Sequence, residues 1–316
     1  MLNILVFFND AIDWLTLNIS GELIALGLLI LFACLSVWEF TFPREKWPSI
    51  AIRRSYMTNS CLFIFNSIVT SVASFAVIVF AQQYLSITGF SQLPNTWAKA
   101  LIAFIGLDLV LYLWHRACHR FDCLWMFHRV HHNEPFLNIS TAFRVHVLEV
   151  LITNLLKAGY VISIGLDQMQ ILVNEALLTC FIMLHHSNIS FKGEKYLGWL
   201  VITPAIHRSH HSVERLEHDS NYGSVLSLWD RLFRTLNLKH ADKLGIQQAS
   251  PQDFARLLSF GFSFDSPKPA PAINLETMIA EAAYYKAEKR NFRPGHELKD
   301  WLDAQRDIMK LLYEQK

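Results

Sequence analysis

Eleven of the 14 histidines lie between residues 115 and 211, and most of them are three or four residues apart. They form four sets, which are HRACH at 115–119, HRVHH at 128–132, HHSN at 185–188 and HRSHH at 207–211. Residues with this spacing share one face of a helix, so each set can present several imidazoles to the same ion. Histidine is the commonest metal ligand among the side chains. The spacing therefore predicts a metal site assembled from several short helical motifs.

The number of histidines indicates two metal ions. Adjacent histidines at the end of an HxxHH set point about 100° apart on a helix, so one can serve a first ion and its neighbour a second. One tetrahedral or octahedral ion needs fewer ligands than these motifs provide. Within the HHSN pair, the second histidine is the predicted ligand. The predicted ligands are His115, His119, His128, His131, His132, His186, His207, His210 and His211.

Further residues are predicted to support the ligands. Asp108 lies two helical turns before His115 on the same face, where its carboxylate would accept a hydrogen bond from a ligand imidazole or pair with an arginine. For the histidines that stand alone, ordinary packing or hydrogen bonding is preferred to a role at the metal site. They are His146, His218, His240 and His296, of which His146 is kept as a candidate supporting residue. The predicted supporting residues are Asp108, His146, His185, Asn188 and Asp219.

The composition is that of an integral membrane protein. Hydrophobic residues make up 52% of the chain and charged residues 17%, compared with about 25% charged residues in soluble domains. The net charge of +1 gives no reason to expect a nucleic acid partner. The five cysteines include no CxxC motif, so a disulfide framework is not expected. Cys118 and Cys123, which lie among the histidines, are either soft ligands or thiols without a role.

The apolar segments predict an all-α, polytopic membrane bundle of about four spans with a histidine-rich helical cap. A span needs about 20 apolar residues. The last two of five candidates are short and contain Lys157 and Glu175, so we expect a hairpin there. Residues 1–15 are expected to form a short, uncleaved helix at the membrane. The candidate segments are 22–40, 61–85, 97–114, 148–166 and 169–184.

Charge predicts the orientation of this bundle. Lysine and arginine cluster between the first two segments, at Arg44, Lys46, Arg53 and Arg54. The positive-inside rule then places residues 41–59 in the cytoplasm and 86–96 outside. If 148–184 is a hairpin, all four histidine sets and the C-terminus face the cytoplasm.

The chain divides into three parts by composition. Residues 1–240 contain every apolar segment and histidine set, and 241–274 form a proline-bearing linker. Residues 275–316 carry alanine, charged and apolar residues at helical spacing, which predicts a small soluble helical hairpin.

Imidazole ligands suit zinc, copper, iron and nickel. An all-nitrogen pair of metals in a membrane fits oxidative attack on lipid C–H bonds, which needs a redox metal and dioxygen, and this favours iron. The ligand types alone do not exclude zinc. From the residues themselves, a zinc-dependent membrane hydrolase and a non-catalytic metal-binding membrane protein are the alternatives.

Residues 38–235 resemble the fatty acid hydroxylase superfamily, the membrane di-iron group that includes sterol desaturases, sphingolipid hydroxylases and alkylglycerol monooxygenase. The resemblance rests on WEFTFPREKW from Trp38, DLVLYLWHRACH, HRVHHNEPFLNISTAFRVHVLE, HHSNI, TPAIHRSHH and DSNYGSVLSLWDRLF. The order and spacing of these motifs match the family, whose ligands correspond to the nine histidines named above. Asn133 and Arg234 depart from the usual pattern at positions that are not ligands.

The resemblance implies two iron ions, dioxygen as co-substrate and hydroxylation of a fatty acyl, sphingoid or sterol lipid in the bilayer, with desaturation on the same site as an alternative. No cytochrome b5-like HPGG motif is present, so we expect a separate electron-donor protein. The terminal segment resembles a small helical domain of unknown function from bacterial proteins, which favours a bacterial inner membrane.

Overall fold

The computed structural model describes residues 20–84, 97–166, 168–246, 250–263 and 275–313. The predicted N-terminal helix and the predicted external loop at 86–96 lie outside these residues. The longer helices are α1 (Gly21–Thr41), α2 (Ser49–Tyr84), α3 (Trp97–Arg120), α4 (Asp122–His132), α5 (Val147–Ile164) and α6 (Gln168–His186). The shorter ones that follow are α7 (Glu194–Leu197), α8 (Pro204–His210), α9 (Arg215–His218), α10 (Leu228–Leu232) and α11 (Phe254–Phe260).

Four of the described helices are long and apolar enough to cross a membrane, namely α1, α3 from Lys99 onward, α5 and α6. Their outward faces carry exposed aliphatic side chains such as Leu29, Val37 and Leu155, which suits contact with lipid rather than water. The predicted segment 61–85 is helical as far as Tyr84, within α2. The prediction of an all-α membrane bundle is therefore confirmed.

Packing among the long helices brings their histidine-bearing ends together. Helix α1 packs on α6, whereas α2 and α3 both pack on α5. Apolar contacts between Leu107 and Leu111 of α3 and Leu178 of α6 form one core cluster, which Val201 and Val225 extend beyond the long helices. This cluster holds α3 and α6 together next to the ends that carry His115, His119, His185 and His186.

Helices α5 and α6 form the predicted hairpin region. The side chain of His146 caps α5 at its start, and Gly165 ends it with a φ of 69°, a left-handed conformation that glycine adopts at little cost. The Lys99 ammonium donates to the Gly165 carbonyl at 2.9 Å. Lys157 of α5 and Glu175 of α6 form an ion pair at 2.8 Å.

A buried arginine connects the histidine motifs to distant segments of the chain. Arg144 is fully buried and donates to the Val130 carbonyl, to Asn59 and to Gln252 at 3.1, 3.1 and 2.8 Å. An ion pair with Glu134 at 3.4 Å balances its charge. This network fixes the end of α4 against α2 and the segment around residue 252.

The first compact unit extends to Ser263, beyond the predicted boundary at 240. Gly245 donates its amide to the His211 carbonyl at 3.1 Å, and Arg129 donates to the Phe260 carbonyl at 2.7 Å. Residues 241–246 and 250–263 therefore pack on the histidine core, and the linker predicted at 241–274 begins too early.

The second compact unit covers Phe264 onward, and its described residues, 275–313, contain two helices, α12 (Leu275–Lys289) and α13 (Glu297–Tyr313). Ile279 packs against Ala304 and Ile308 across the pair. An ion pair at 2.5 Å between Arg290 and Asp300 joins the helices near the turn. His296 is exposed beside that turn.

Candidate metal centre

The histidine motifs converge in two groups at the end of the helical bundle. Within each group, one ligand atom from every member lies within 4.8 Å of those of the other members. Group A comprises His115, His119, His128, His132 and His210. Group B comprises His131, His186, His207 and His211. The structure thus brings together all nine histidines that the sequence predicts as ligands.

Neighbouring histidines are divided between the groups. His131 belongs to group B and His132 to group A, while His210 belongs to group A and His211 to group B. Consecutive helical residues point about 100° apart, which is why each HxxHH set contributes to both groups. The arrangement has the geometry expected of two neighbouring ions.

Backbone carbonyls fix the imidazole tautomers. The Nδ1 atoms of His115 and His186 lie 2.9 and 2.7 Å from the carbonyl oxygens of Tyr222 and Ile182. A carbonyl only accepts hydrogen bonds, so each Nδ1 carries the proton and each Nε2 keeps a lone pair. His131 and His210 have the same arrangement, at 3.2 and 2.6 Å.

Two carboxylates also hold the proton on Nδ1 of ligands in group A. Glu149 accepts from Nδ1 of His128 at 2.6 Å, and Asp219 from Nδ1 of His119 at 3.2 Å. Asp219 is thus among the supporting residues that the structure places beside a predicted ligand. Glu149 was missed, although an acidic residue at the start of an apolar segment is a usable signal.

The nitrogens that face one another fit metal ions. Nε2 of His115 lies 3.1 Å from Nε2 of His128, and Nε2 of His131 lies 3.0 Å from Nε2 of His186. All four rings are protonated at Nδ1, so these contacts bring lone pairs together, which is unfavourable without a cation. In the described residues, both ring nitrogens of His132 are buried without a hydrogen-bond partner. A bound cation would satisfy these atoms.

Burial keeps the imidazoles neutral. It lowers the pKa of His128 and of His131 to about 3, because an imidazolium is costly to remove from water and nearby histidines add repulsion. The pKa values of His207, His210 and His211 are also far below the ordinary range for the same reason. Neutral imidazole is the form that binds a metal.

A cavity of about 240 Å³ adjoins both groups. Its histidine end is formed by His115 and His128 of group A and by His131, His186 and His207 of group B. Its other walls come from α3, α5 and α6 and are largely apolar, as at Leu111, Trp114, Val150 and Ile182. The cavity can hold a segment of a lipid chain against the histidines.

Comparison with known proteins finds a family model that matches the histidine core. The family model described as fatty acid hydroxylase matches residues 100–235, which contain all nine predicted ligands. Over these residues the histidine core is similar to the fatty acid hydroxylase family. A second family model, described as a protein of unknown function (DUF2934), matches residues 274–310.

Curated relatives of this part of the chain include alkylglycerol monooxygenases. The protein from Homo sapiens is 31% identical over 147 residues, which are 46% of this chain and 32% of the relative. The protein from Danio rerio is 32% identical over 148 residues, again covering 46% and 32%. This chain therefore spans about a third of the length of these relatives.

A bacterial relative matches over more of its length. Ornithine lipid hydroxylase OlsE of Rhizobium tropici is 28% identical over 279 residues, which are 84% of this chain and 82% of the relative. No solved structure matches the chain significantly.

Asp108 has different partners in the structure from those predicted. Its carboxylate accepts hydrogen bonds from the backbone amides of Val225 and Leu226 at 2.9 and 3.0 Å and from the Trp229 indole at 2.9 Å. The expected bond to a ligand imidazole is therefore replaced by an anchor for the segment 222–229. That segment includes Tyr222, whose carbonyl accepts a hydrogen bond from His115. Asp108 therefore positions this ligand indirectly, by holding the segment in place.

His146 and Asn188 also have structural contacts. Nδ1 of His146 accepts from the Leu148 amide, and its Nε2 donates to the Leu258 carbonyl. The Asn188 side chain bonds the backbone of Glu45 through both its oxygen and its nitrogen. These bonds position chain segments around the domain, in place of the predicted direct support of ligands.

His185 and His218 lie beside the ligands. The His185 ring is 4.0 Å from that of His207, measured between centroids, and lines the cavity. His218 stacks on Trp125 at 5.3 Å, lies 5.9 Å from His119 and donates from Nδ1 to a carbonyl. Its hydrogen-bonded state is as expected, but its proximity to group A is not apparent in the sequence. His240 is exposed.

The two cysteines that lie among the histidines differ in exposure. Cys118 is buried, with its sulfur within 4.8 Å of ligand atoms of His128 and Glu149, whereas Cys123 is exposed. All five cysteines are free thiols.

Proposed function

We propose that the chain is a membrane-bound oxidoreductase that uses two iron ions and dioxygen to hydroxylate a C–H bond of a lipid. The observation that supports this most strongly is the meeting of two all-histidine groups with one apolar cavity between membrane-length helices. The names of the relatives, a monooxygenase of alkylglycerols and a hydroxylase of ornithine lipids, agree with an oxygen-dependent reaction on a lipid.

The residues of the chain have three tasks in this reaction. Groups A and B would each hold one iron, and the bound ions would supply the redox chemistry that activates dioxygen for attack on an unactivated C–H bond. Glu149, Asp219 and the backbone carbonyls keep the imidazole protons on Nδ1, so that the Nε2 lone pairs face inward. The apolar cavity walls would exclude water and hold the hydrocarbon chain of the lipid in place.

The remaining requirements concern location and partners. We place the domain in a bacterial inner membrane with the histidine groups on the cytoplasmic side, where a separate protein delivers two electrons for each turnover. The charge distribution between the first two apolar segments supports this orientation.

The function is tested on protein purified in detergent under reducing conditions. We expect about two iron ions per chain, and lipid-dependent uptake of dioxygen once electrons are supplied. With ¹⁸O₂, the label should enter the lipid product. An unsaturated product without label would replace hydroxylation by desaturation. Bound zinc without iron, and no dioxygen uptake with any lipid, would overturn the proposal in favour of a hydrolase or a metal-binding protein.

The lipid itself is best sought in cells. A deletion strain should accumulate the unmodified form of one lipid class, and comparing its lipidome with that of the parent identifies the substrate. Restoration by the wild-type gene but not by a His131→Ala gene would assign the change to this site.

A further inference from the structure

One face of α5 carries polar side chains along the cavity. Glu149, Thr153, Asn154 and Lys157 all line it, at positions that recur about once per helical turn. Glu149 lies at the histidine end, where it bonds to His128. Eight residues separate it from Lys157, which is about 12 Å along a helix. The cavity therefore has a histidine end and a polar end.

The polar end contains an ion pair within the membrane-length helices. The Lys157 ammonium donates to the Glu175 carboxylate of α6 at 2.8 Å, and the two side chains are 20% and 41% exposed. Charged groups at membrane depth are costly and usually functional. Such a pair contributes little net stability compared with apolar residues of similar size. Lys157 lines the cavity, which indicates that the pair serves binding.

The polar end has hydrogen-bonding capacity to spare. The Thr153 hydroxyl donates to the Glu149 carbonyl of its own helix at 2.8 Å, so its proton is already used. Among the described residues, the Asn154 amide has no hydrogen-bond partner, and Lys157 uses one of its three donors on Glu175. Asn154 and Lys157 can therefore both donate to an oxygen atom in the cavity.

We propose that Asn154 and Lys157 bind a neutral oxygen group of the substrate lipid, such as a hydroxyl or a carbonyl of an ester or amide. The charge of Lys157 is already balanced by Glu175, so a neutral group is favoured over a carboxylate or phosphate. The apolar wall between the two ends would hold the intervening hydrocarbon, with the reacting carbon at the histidines. This inference rests on the proposed function, since it identifies the substrate class of the same site.

The test compares matched ligands on the full chain with its metals bound. The probes are 1-hexadecanol, n-hexadecane and hexadecanoate, and their affinities come from the shift in melting temperature of the purified protein in detergent. We expect wild type to bind hexadecanol about tenfold more tightly than hexadecane, as for one to two hydrogen bonds to a charged or amide donor. Hexadecanoate should bind more weakly than hexadecanol.

Two variants assign the preference to these residues. Asn154→Leu keeps the ion pair, and Lys157→Met with Glu175→Met removes both charges together, which avoids an unpaired charge in the membrane. Each should bind hexadecane as wild type does and lose most of the preference for hexadecanol. Lys195→Met, at an exposed lysine of α7, is the matched control and should keep the preference.

Some outcomes would overturn the inference. They are equal binding of hexadecanol and hexadecane by wild type, tighter binding of hexadecanoate, or an unchanged preference in both variants with normal melting temperatures without lipid. Iron content and dioxygen uptake are measured on the same preparations. A preference for hexadecanol without dioxygen uptake would retain the binding site but reject the oxidative function, and uptake without any preference would do the reverse.

Discussion

The carboxylate of Glu149 accepts a hydrogen bond from Nδ1 of His128 at 2.6 Å, although the two residues are 21 positions apart. Both side chains are buried, and Glu149 lies in the first turn of the helix that lines the cavity. The bond therefore connects the candidate metal centre to the wall that would bind the lipid. It also keeps Nε2 of His128 facing His115 in group A.

Replacing Glu149 should weaken metal binding more than it changes folding. Glu149→Leu removes the acceptor for His128, and loss of such a partner typically weakens metal affinity by about 10- to 100-fold. Glu149→Gln retains an oxygen acceptor and should lie between this variant and wild type. The measurement is the metal retained per chain after graded exposure to a chelator. The exposed Glu281→Gln is the control, and equal retention in Glu149→Leu and this control would contradict the assignment.

The two HxxHH sets offer a test of the grouping. His131→Ala removes a member of group B, and His210→Ala removes a member of group A. Each variant should stay in the membrane fraction, keep about one of the two ions and lose activity, because one site loses a ligand while the other is intact. Iron per chain and lipid-dependent dioxygen uptake are measured together. His240→Ala alters an exposed residue and should match wild type, so equal loss in all three would argue against the ligand set.

Asp108 should matter for stability. Asp108→Leu leaves the amides of Val225 and Leu226 and the Trp229 indole without their acceptor, which should cost roughly 2–5 kcal/mol of unfolding free energy. Asp108→Asn retains one acceptor oxygen and should cost less. Melting of the metal-free protein reports the effect without a contribution from metal binding. An unchanged melting temperature in Asp108→Leu would show that the segment 222–229 is held by other contacts.

The sequence predicts the ligands far better than their partners. Spacing of three and four residues determines which imidazoles share a helical face, so the HxxxH and HxxHH sets could be identified directly. The partners of Asp108 could not be identified in this way, because Val225 lies 117 residues further along the chain and only folding brings it near. The partner of His146 could not be predicted either, since its bond to the Leu258 carbonyl spans 112 residues.

The domain boundary was missed for a related reason. Prolines and a change in composition after residue 240 indicate a linker, but they do not reveal packing. Arg129 reaches the Phe260 carbonyl from α4, and Gln252 accepts from Arg144. Both bonds connect the supposed linker to the histidine motifs.

This difference predicts the result of truncation. A chain ending at Ser263 keeps the complete first unit and should retain its metals and its membrane insertion. A chain ending at His240 loses the bonds from Arg129 to Phe260, from Arg144 to Gln252 and from Gly245 to His211. It should lose metal and melt at a lower temperature. Metal content and melting temperature of the two truncated chains and wild type decide the matter. Loss of metal from the longer truncated chain would show that the second unit contributes to the site.

The predicted orientation is tested by chemical labelling of intact cells. Single cysteines at Gln92 and Gln315, in a background without the five native cysteines, should react differently with a membrane-impermeant thiol reagent. Position 92 should label at once, because the positive-inside rule places it outside, and position 315 only after the cells are opened. The four histidine sets meet in one site, so the α5 and α6 region must return to the side it left. Labelling of both positions on intact cells would therefore place a crossing after residue 211, or place the histidine sets outside with no net crossing between position 92 and His115. Labelling of a third cysteine at the exposed Lys195 would separate these two outcomes, since it lies between the histidine sets.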